Sequence, residues 1–235
     1  MTVRLLTLLL FVIMATAAHA AATGTGPSAN AALSSRPLTI AQLQYDGGGD
    51  WYANPSGLPN LLRAIGERTG MPVSDQPGRT RLTDPGLWTY PFLYMTGHGN
   101  VRFSEEELGV LRRYLLAGGF LHVDDNYGLD ESFRREIRRL FPDRELQELP
   151  ADHPVFRSFY EFPEGLPKIH EHDGNPPQAF GIFDRGRLVV FYSYETDLGN
   201  GWEDADRHDT PPHLREAALR MGVNLFVYAL SQVVS

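Results

Sequence analysis

The chain has 235 residues, 42% of them hydrophobic and 21% charged, a balance typical of a globular domain with a full apolar core. Its length fits one α/β domain, or two small ones. The formal net charge of −8 argues against nucleic acid or an anionic membrane surface as the main partner. Because the chain has no cysteine, disulfides, thiolate zinc sites and a cysteine nucleophile are excluded.

The N-terminus has the pattern of an export signal. Arg4 provides the positive charge, Leu5–Ala18 the apolar stretch, and Ala18-His19-Ala20 the small-x-small form of a cleavage site. The alternative is a membrane anchor, but the apolar stretch is shorter than the ~20 residues that a spanning helix needs. We predict a cleaved signal over residues 1–20, a flexible linker over 21–36, and an exported, periplasmic protein without a membrane span after cleavage.

The first half of the remaining chain alternates strand and helix patterns. A strand is predicted at Leu38–Tyr45, a helix at Gly57–Thr69, a short strand at Met71–Ser74 and a stronger strand at Phe92–Met95. The last of these is apolar throughout, as parallel strands buried on both faces are. This alternation indicates βαβ units and a mostly parallel sheet.

The next elements have clear start signals. Ser104 and Glu107 form a capping box that predicts a helix, and Phe120–Val123 is the strand that follows it. Asp130 has the position of an N-cap for another amphipathic helix, which Pro142 closes.

The last part of the chain begins with a weakly periodic stretch. Residues 145–177 are rich in Pro, Glu and His, and we predict a long irregular insertion there. Strands at Ala179–Phe183 and Arg187–Tyr194 flank a hairpin turn at Asp184-Arg185-Gly186, and Thr210-Pro211-Pro212 opens a long helix. We therefore predict that residues 37–235 form a single α/β domain, a three-layer α/β/α sandwich.

Two predicted strands end in clusters of polar residues. Thr96-Gly97-His98-Gly99 follows one strand and Asp124-Asp125-Asn126 follows another. Ligands of open α/β sheets lie in the crevice beyond the carboxyl ends of the strands, so these clusters are candidate site residues. His98 has the chemistry of a general base or metal ligand, and Asp124 or Asp125 that of a cation ligand or water-positioning group. The alternative is that they stabilise turns and cap backbone amides.

Other candidates follow neighbouring strands. Asp46, Glu195 and Asp197 are carboxylates at predicted strand ends, and parallel strands bring such ends together. Trp51 and Trp202 either form an apolar wall around a ligand or cover the end of the sheet as part of the core; the pattern slightly favours the core role.

His170 and His172 have the His-x-His spacing of a zinc or copper site. The segment is polar and flanked by prolines, so a solvated loop is the favoured interpretation. With His98 and Asp124 they complete the weak metal-ligand candidates. No cofactor is predicted, although a divalent metal is compatible with these side chains.

The chain lacks a Gly-x-Ser-x-Gly elbow, a Walker A loop, a Rossmann glycine fingerprint and a zincin helix. It resembles instead the bacterial family catalogued as domain of unknown function 4159, over roughly Arg36 to Leu230. The stretches that carry the resemblance are Trp51-Tyr52, Tyr90 through Gly99, Leu111 through Leu121, Phe141-Pro142, Asp152 through Phe156, Gly186 through Leu188, and Gly222 through Leu230.

The resemblance implies a flavodoxin-like fold, similar to class I glutamine amidotransferases, and no established activity. Amidotransferases carry a cysteine on a sharp elbow after a central strand, and this chain has no thiol there. We therefore expect an exported cell-envelope module that binds a small ligand or an envelope protein partner without catalysis. The alternative is a metal-assisted hydrolase using His98 with Asp124 or Asp125.

Overall fold

A computed structural model describes residues 37–232 of the chain, and the statements below concern that part. The predicted export signal and linker lie outside the described residues. Within them, one seven-stranded sheet has helices on both faces.

The sheet is mostly parallel. Neighbouring strands follow the order β2-β1-β3-β4-β7-β6-β5, in which the first four pairs are parallel and the last two antiparallel. The first five positions match the order of the flavodoxin-like doubly wound fold, with β7 as the fifth strand. The strands are β1 Ile40–Leu43, β2 Gly78–Thr80, β3 Phe92–His98, β4 Phe120–Tyr127, β5 Gln147–Glu148, β6 Gln178–Asp184 and β7 Arg187–Tyr194.

The helices divide between the two faces of the sheet, and each group buries a separate apolar cluster. Three of them, α1, α4 and α5, pack on one face, and α2 and α3 pack on the other. The predicted three-layer sandwich with a mostly parallel sheet is confirmed. The helices are α1 Gly57–Thr69, α2 Glu105–Leu116, α3 Asp130–Leu140, α4 Leu198–Trp202 and α5 Pro212–Ser231. None of the helices described in 37–232 combines the length and the apolar character needed to cross a bilayer.

Several local predictions are confirmed by the backbone. Ser104 and Glu107 form both hydrogen bonds of the capping box at the start of α2. The turn between β6 and β7 places Arg185 and Gly186 in the left-handed region, at φ 49° and 82°. Left-handed conformations at these two positions favour a tight hairpin turn whose twist matches that of the flanking strands.

Three predictions about elements are wrong. Asp130 does not cap α3: its carboxylate binds Arg134 and the Tyr192 hydroxyl, and the residue at the N-cap makes no side-chain cap. The strand predicted at Met71–Ser74 is reduced to one bridge between Val73 and Leu38, because the chain joins the sheet later, at β2. Finally, β3 extends to His98 and β4 to Tyr127, so every residue of the polar clusters except Gly99 belongs to the strands themselves.

The stretch 145–177 contains only β5 and a 3₁₀ turn at Pro154–Arg157. Asn224 of α5 holds it in place: the side-chain oxygen accepts from the Tyr160 amide at 2.7 Å, and the side-chain nitrogen donates to the Tyr160 carbonyl at 2.8 Å. Asn224 is fully buried, so this stretch is packed against the domain.

Candidate functional site

The side chain of Asp124, near the end of β4, points into the layer of α1, α4 and α5, where it is fully buried. One carboxylate oxygen accepts from the Ser193 hydroxyl at 2.6 Å and the Leu198 amide at 3.2 Å. The other accepts from the Gly199 amide at 2.7 Å and the Tyr94 hydroxyl at 3.3 Å. Asp124 thus fixes the start of α4 to the sheet.

Asp125 points to the opposite face, as alternation along a strand requires. It accepts from the Leu129 amide at 2.9 Å and from the Tyr192 hydroxyl at 3.4 Å, so it anchors the loop before α3. Burial raises the pKa of Asp125 to about 6, and Asp130 adds to the rise. The two neighbouring aspartates therefore belong to different layers of the domain.

Asp124 belongs to a buried polar network. Ser193 also contacts Nε2 of His122 at 2.8 Å, and His122 is enclosed by aromatic rings, including Tyr94 and Trp202. Burial lowers the pKa of His122 to about 3, so this imidazole is neutral. Burial and the nearby Asp197 together raise the pKa of Asp124 to about 7, against hydrogen bonds that favour its charged form.

The turn after β7 has unusual backbone geometry. Glu195 and Asp197 both adopt left-handed conformations, with φ at 57° and 63°, and both are buried. Such conformations are costly for residues other than glycine and occur often at binding sites. Burial acts to raise the pKa of Glu195, but Lys168, 3.0 Å away, outweighs it and the pKa is lowered.

Asp197 connects this turn to the stretch that precedes β6. Its carboxylate lies 3.4 Å from Nε2 of His172, and it also accepts from the side-chain and backbone nitrogens of Asn200. The hydrogen bond to Asp197 raises the pKa of His172, although burial acts in the other direction. A solvated loop was the favoured prediction here; His170 is exposed, but the side chain of His172 is only 6% exposed.

His98, at the end of β3, pairs with a residue that the sequence did not single out. Its Nδ1 lies 3.0 Å from the carboxylate of Asp50, which also accepts from the His98 backbone amide. The chain beyond Asp50 then crosses the strand ends, where Asn54 donates to Asn126 of β4 at 3.1 Å. His98 stays 53% exposed at this edge.

These elements enclose an open groove of about 350 Å³ at the carboxyl edge of the sheet. Two of its histidines, His98 and His172, each pair with a carboxylate, and the four residues come from four separate segments of the chain. A larger depression of about 640 Å³ lies at the opposite edge, between the end of α2 and the β6–β7 turn, but it gathers no such pairs. The groove is lined by His98, Asn126, Tyr127, His170, Glu171, His172, Asp197 and Asn200.

The predicted candidates separate into three groups. His98, His170, His172 and Asp197 line the groove. Asp124, Asp125 and Glu195 are buried. Asp124 and Glu195 hold the segments beside the groove, whereas Asp125 anchors the loop before α3.

Asp46 and the two tryptophans have other surroundings. Asp46 pairs with Arg81 at 3.2 Å in a different surface depression, which it shares with Arg102. Trp51 packs against the cluster beneath α2 and α3. Trp202 is buried in the opposite cluster and donates to the Ala218 carbonyl at 2.8 Å, the core role that the pattern favoured.

The candidate metal ligands are not assembled into one site in residues 37–232. Within residues 37–232, no group of three or more His, Asp or Glu side chains is arranged to hold a metal ion. His98 pairs with Asp50, and the oxygens of Asp124 are taken up by four donors of the chain.

Sequence reasoning missed two residues that line the groove, Tyr127 and Asn200, and one that pairs with His98, Asp50. Asp50 lies in a Gly-rich turn and gave no signal beyond its charge. Tyr127 directly follows the Asp124-Asp125-Asn126 cluster, so extending the strand by one residue finds it. Asn200 stands three residues after Asp197, the spacing of a side chain at a helix cap, and that spacing was a usable signal.

The family comparison is decided by one match. A family model described as domain of unknown function (DUF4159) matches residues 39–230, nearly all of the described chain. The chain belongs to this family. In this DUF4159 domain, the matched range includes every strand and helix that forms the groove. No curated protein matches the chain.

Proposed function

We propose that this chain is an exported cell-envelope module that binds a small polar ligand in the groove at the carboxyl edge of its sheet, without catalysis. The observation that carries the proposal is the convergence of the His98–Asp50 and His172–Asp197 pairs on one open groove. A few converging polar groups in a concave site are the usual mark of a binding site.

Buried contacts behind the groove hold its side chains in place before a ligand binds. Asp124 fixes the start of α4 through two backbone amides, and α4 contains Asn200. Lys168 holds Glu195 on the other side of the left-handed turn. Side chains held in this way lose little conformational entropy when a ligand binds, which favours affinity.

Metal-assisted hydrolysis receives less support from the same geometry. It requires His98 and Asp124 or Asp125 to act on one metal or water. Asp124 and Asp125 project to opposite faces of the sheet and are occupied by internal donors. A nucleophile-activating arrangement needs side chains within hydrogen-bond reach of a shared position, and these three residues do not provide it.

Export is supported by the sequence. Arg4, the apolar run Leu5–Ala18 and the Ala18-His19-Ala20 site have the order of a cleavable signal. An acidic chain with a net charge of −8 also suits a partner other than nucleic acid.

The test is a ligand screen read by NMR. We would titrate the protein with a panel of neutral, anionic, cationic and apolar small molecules and follow the histidine ring resonances. Binding in the groove is expected to shift the resonances of His98 and His172 and to leave His213, an exposed residue at the start of α5, unchanged. The variants His98→Ala and His172→Gln are expected to weaken the response, and His213→Ala is the matched control.

Two outcomes contradict the proposal. One is a panel in which no compound shifts His98 or His172. The other is binding confined to the depression at the opposite edge of the sheet, which Arg187 and Gly118 line.

A further inference from the structure

We infer that the ligand of the groove is a neutral saccharide, bound through its hydroxyl groups and by packing of its ring on Tyr127. This inference rests on the proposed binding function and names the chemical class of the ligand. Three features of the groove carry it: the contacts among its ionisable side chains, its mixture of donors and acceptors, and a fixed, exposed aromatic ring.

Several ionisable side chains around the groove contact one another. His98 lies 3.0 Å from Asp50, and His172 lies 3.4 Å from Asp197. Lys168, behind the left-handed turn, is 3.0 Å from Glu195 and 3.6 Å from Glu171. An ionic ligand would have to compete with these partners, and each compensating charge of the protein opposes it. A neutral ligand leaves all four contacts intact.

The polar side chains provide both kinds of hydrogen-bonding group. The amides of Asn126 and Asn200 and the imidazoles present donors and acceptors, whereas Asp197 presents acceptors only. A hydroxyl group donates one hydrogen bond and accepts others, so several hydroxyls on one ring match this mixture. A carboxylate or an ammonium group matches only half of it.

Asn200 adds an unsatisfied acceptor to this site. Its side-chain nitrogen donates to Asp197, but its Oδ1 is buried and has no hydrogen-bond donor among residues 37–232. Asn200 as a whole is 9% exposed and lines the groove. A buried acceptor without a partner is costly. Because this oxygen has almost no solvent-accessible surface, a ligand hydroxyl reaches it only after the Asn200 side chain turns toward the groove.

Tyr127 provides the apolar surface. It is one of four large hydrophobic side chains that are exposed in residues 37–232, at 52%. Its hydroxyl donates to Asp173 at 3.2 Å, and its ring meets that of His172 edge to face, with centroids 5.1 Å apart. These contacts fix the ring while leaving apolar area in solvent. The C–H face of a sugar ring is a flat apolar surface that covers such a ring, while its hydroxyls reach the polar groups.

The groove is poorly built for other ligand classes. Tyr127 is its single apolar side chain among the residues that line it, so it lacks the enclosing walls that an apolar ligand needs. It also has no arginine or lysine in its described lining, the residues that recognise phosphate and carboxylate groups.

The experiment measures affinity for defined sugars with the full chain. Glucose, N-acetylglucosamine, cellobiose and chitobiose are titrated by saturation-transfer NMR and calorimetry, with glucuronate, inorganic phosphate and hexanol as probes of the other classes. Neutral sugars are expected to bind, and glucuronate, phosphate and hexanol are expected to bind more weakly by about tenfold or more.

Variants separate the aromatic and polar contributions. Tyr127→Ala is expected to weaken sugar binding by about tenfold, while Tyr127→Phe keeps the ring and most of the affinity. Asn200→Ala is expected to weaken binding as well. Trp88→Ala is the matched control, because Trp88 is 53% exposed and precedes β3 at the opposite end of the strand.

The outcomes distinguish this inference from the proposed function. If a charged or apolar compound shifts His98 and His172 and no sugar does, the groove binds a ligand and the saccharide inference is overturned. If sugars bind but Tyr127→Ala and Trp88→Ala weaken them equally, the inference is also overturned. If nothing in either panel shifts His98 or His172, both proposals fail together.

Discussion

Replacing His122 by glutamine should make the protein more resistant to acid unfolding. His122 is fully buried, and burial lowers its pKa to about 3 from an ordinary value of 6.5. Between these pH values the unfolded chain binds a proton that the folded chain excludes. The contribution of His122 to stability is therefore complete above pH 6.5 and is lost as the pH falls toward 3.

The size of the loss follows from proton linkage. Each pH unit in this window costs about 1.4 kcal/mol for one proton, so lowering the pH from 6.5 to about 4.5 costs the wild type about 3 kcal/mol through His122. Asp124 and Asp125 act in the opposite direction. The folded pKa values of Asp124 and Asp125, about 7 and about 6, lie above the ordinary value of 3.8. Their contributions to stability therefore diminish as the pH rises from 3.8 through these folded values.

The comparison of wild type with His122→Gln isolates the histidine, because both proteins retain the two aspartates. Glutamine does not titrate and keeps an N–H that reaches toward Ser193. We would measure the free energy of unfolding by urea at about pH 7.5 and about pH 4.5. On acidification the variant should gain about 3 kcal/mol relative to the wild type, whatever its stability at neutral pH.

A second variant tests whether the result depends on the glutamine side chain itself. His122→Phe removes the titrating group and preserves an aromatic ring among Phe92, Phe191 and Trp202. It should show the same relative gain. Identical pH dependence of the wild type and both variants would refute the reasoning, since it would mean that folding does not exclude a proton from His122.

Three further predictions concern the support of the groove and the metal hypothesis. Asp124→Ala leaves the buried backbone amides of Leu198 and Gly199 without an acceptor. The variant should lose about 3–5 kcal/mol of the free energy of unfolding, measured by urea titration at neutral pH. A loss below about 1 kcal/mol contradicts the anchoring role of Asp124. Gly199→Ala places a methyl group 2.6 Å from the Tyr94 hydroxyl and should lower the free energy of unfolding by about 1–3 kcal/mol. Gly86→Ala is the neutral control, because Gly86 has open space around it. Equal urea midpoints for the two variants argue against tight packing at Gly199. Elemental analysis of protein purified without chelator should find substoichiometric metal, and a stoichiometric divalent ion lost on His98→Ala would revive the hydrolase hypothesis.

Local sequence signals predicted most of the fold. The capping box at Ser104 and the turn at Arg185 depend on residues that are close together in the chain, and such patterns can be read without a structure. Alternation along β4, once the strand is known to reach Tyr127, accounts for Asp124 and Asp125 facing different layers. The failure at Asp130 has a tertiary cause, because its carboxylate binds Tyr192 of β7 instead of its own helix.

The groove depends on contacts that sequence spacing does not reveal. Asp50 meets His98, and Asp197 meets His172, across long separations in the chain, and nothing in either local pattern selects the partner. The strand-end rule predicted that His98 lies at the carboxyl edge of the sheet, and β3 ends at this residue. It did not separate residues that line the groove from those, such as Asp124, that support it from below.

The adjacency of Asp124 and Asp125 makes β4 intolerant of changes in length. Each carboxylate serves a different helical layer, and a shift of one residue along the strand would exchange their sides. Both layers would then lose an anchor at once, so an insertion or deletion within Phe120–Tyr127 should be far more damaging than one at an exposed part of 145–177. Tags or grafted epitopes are accordingly best placed in that stretch, at positions such as Glu164 that lie outside the sheet.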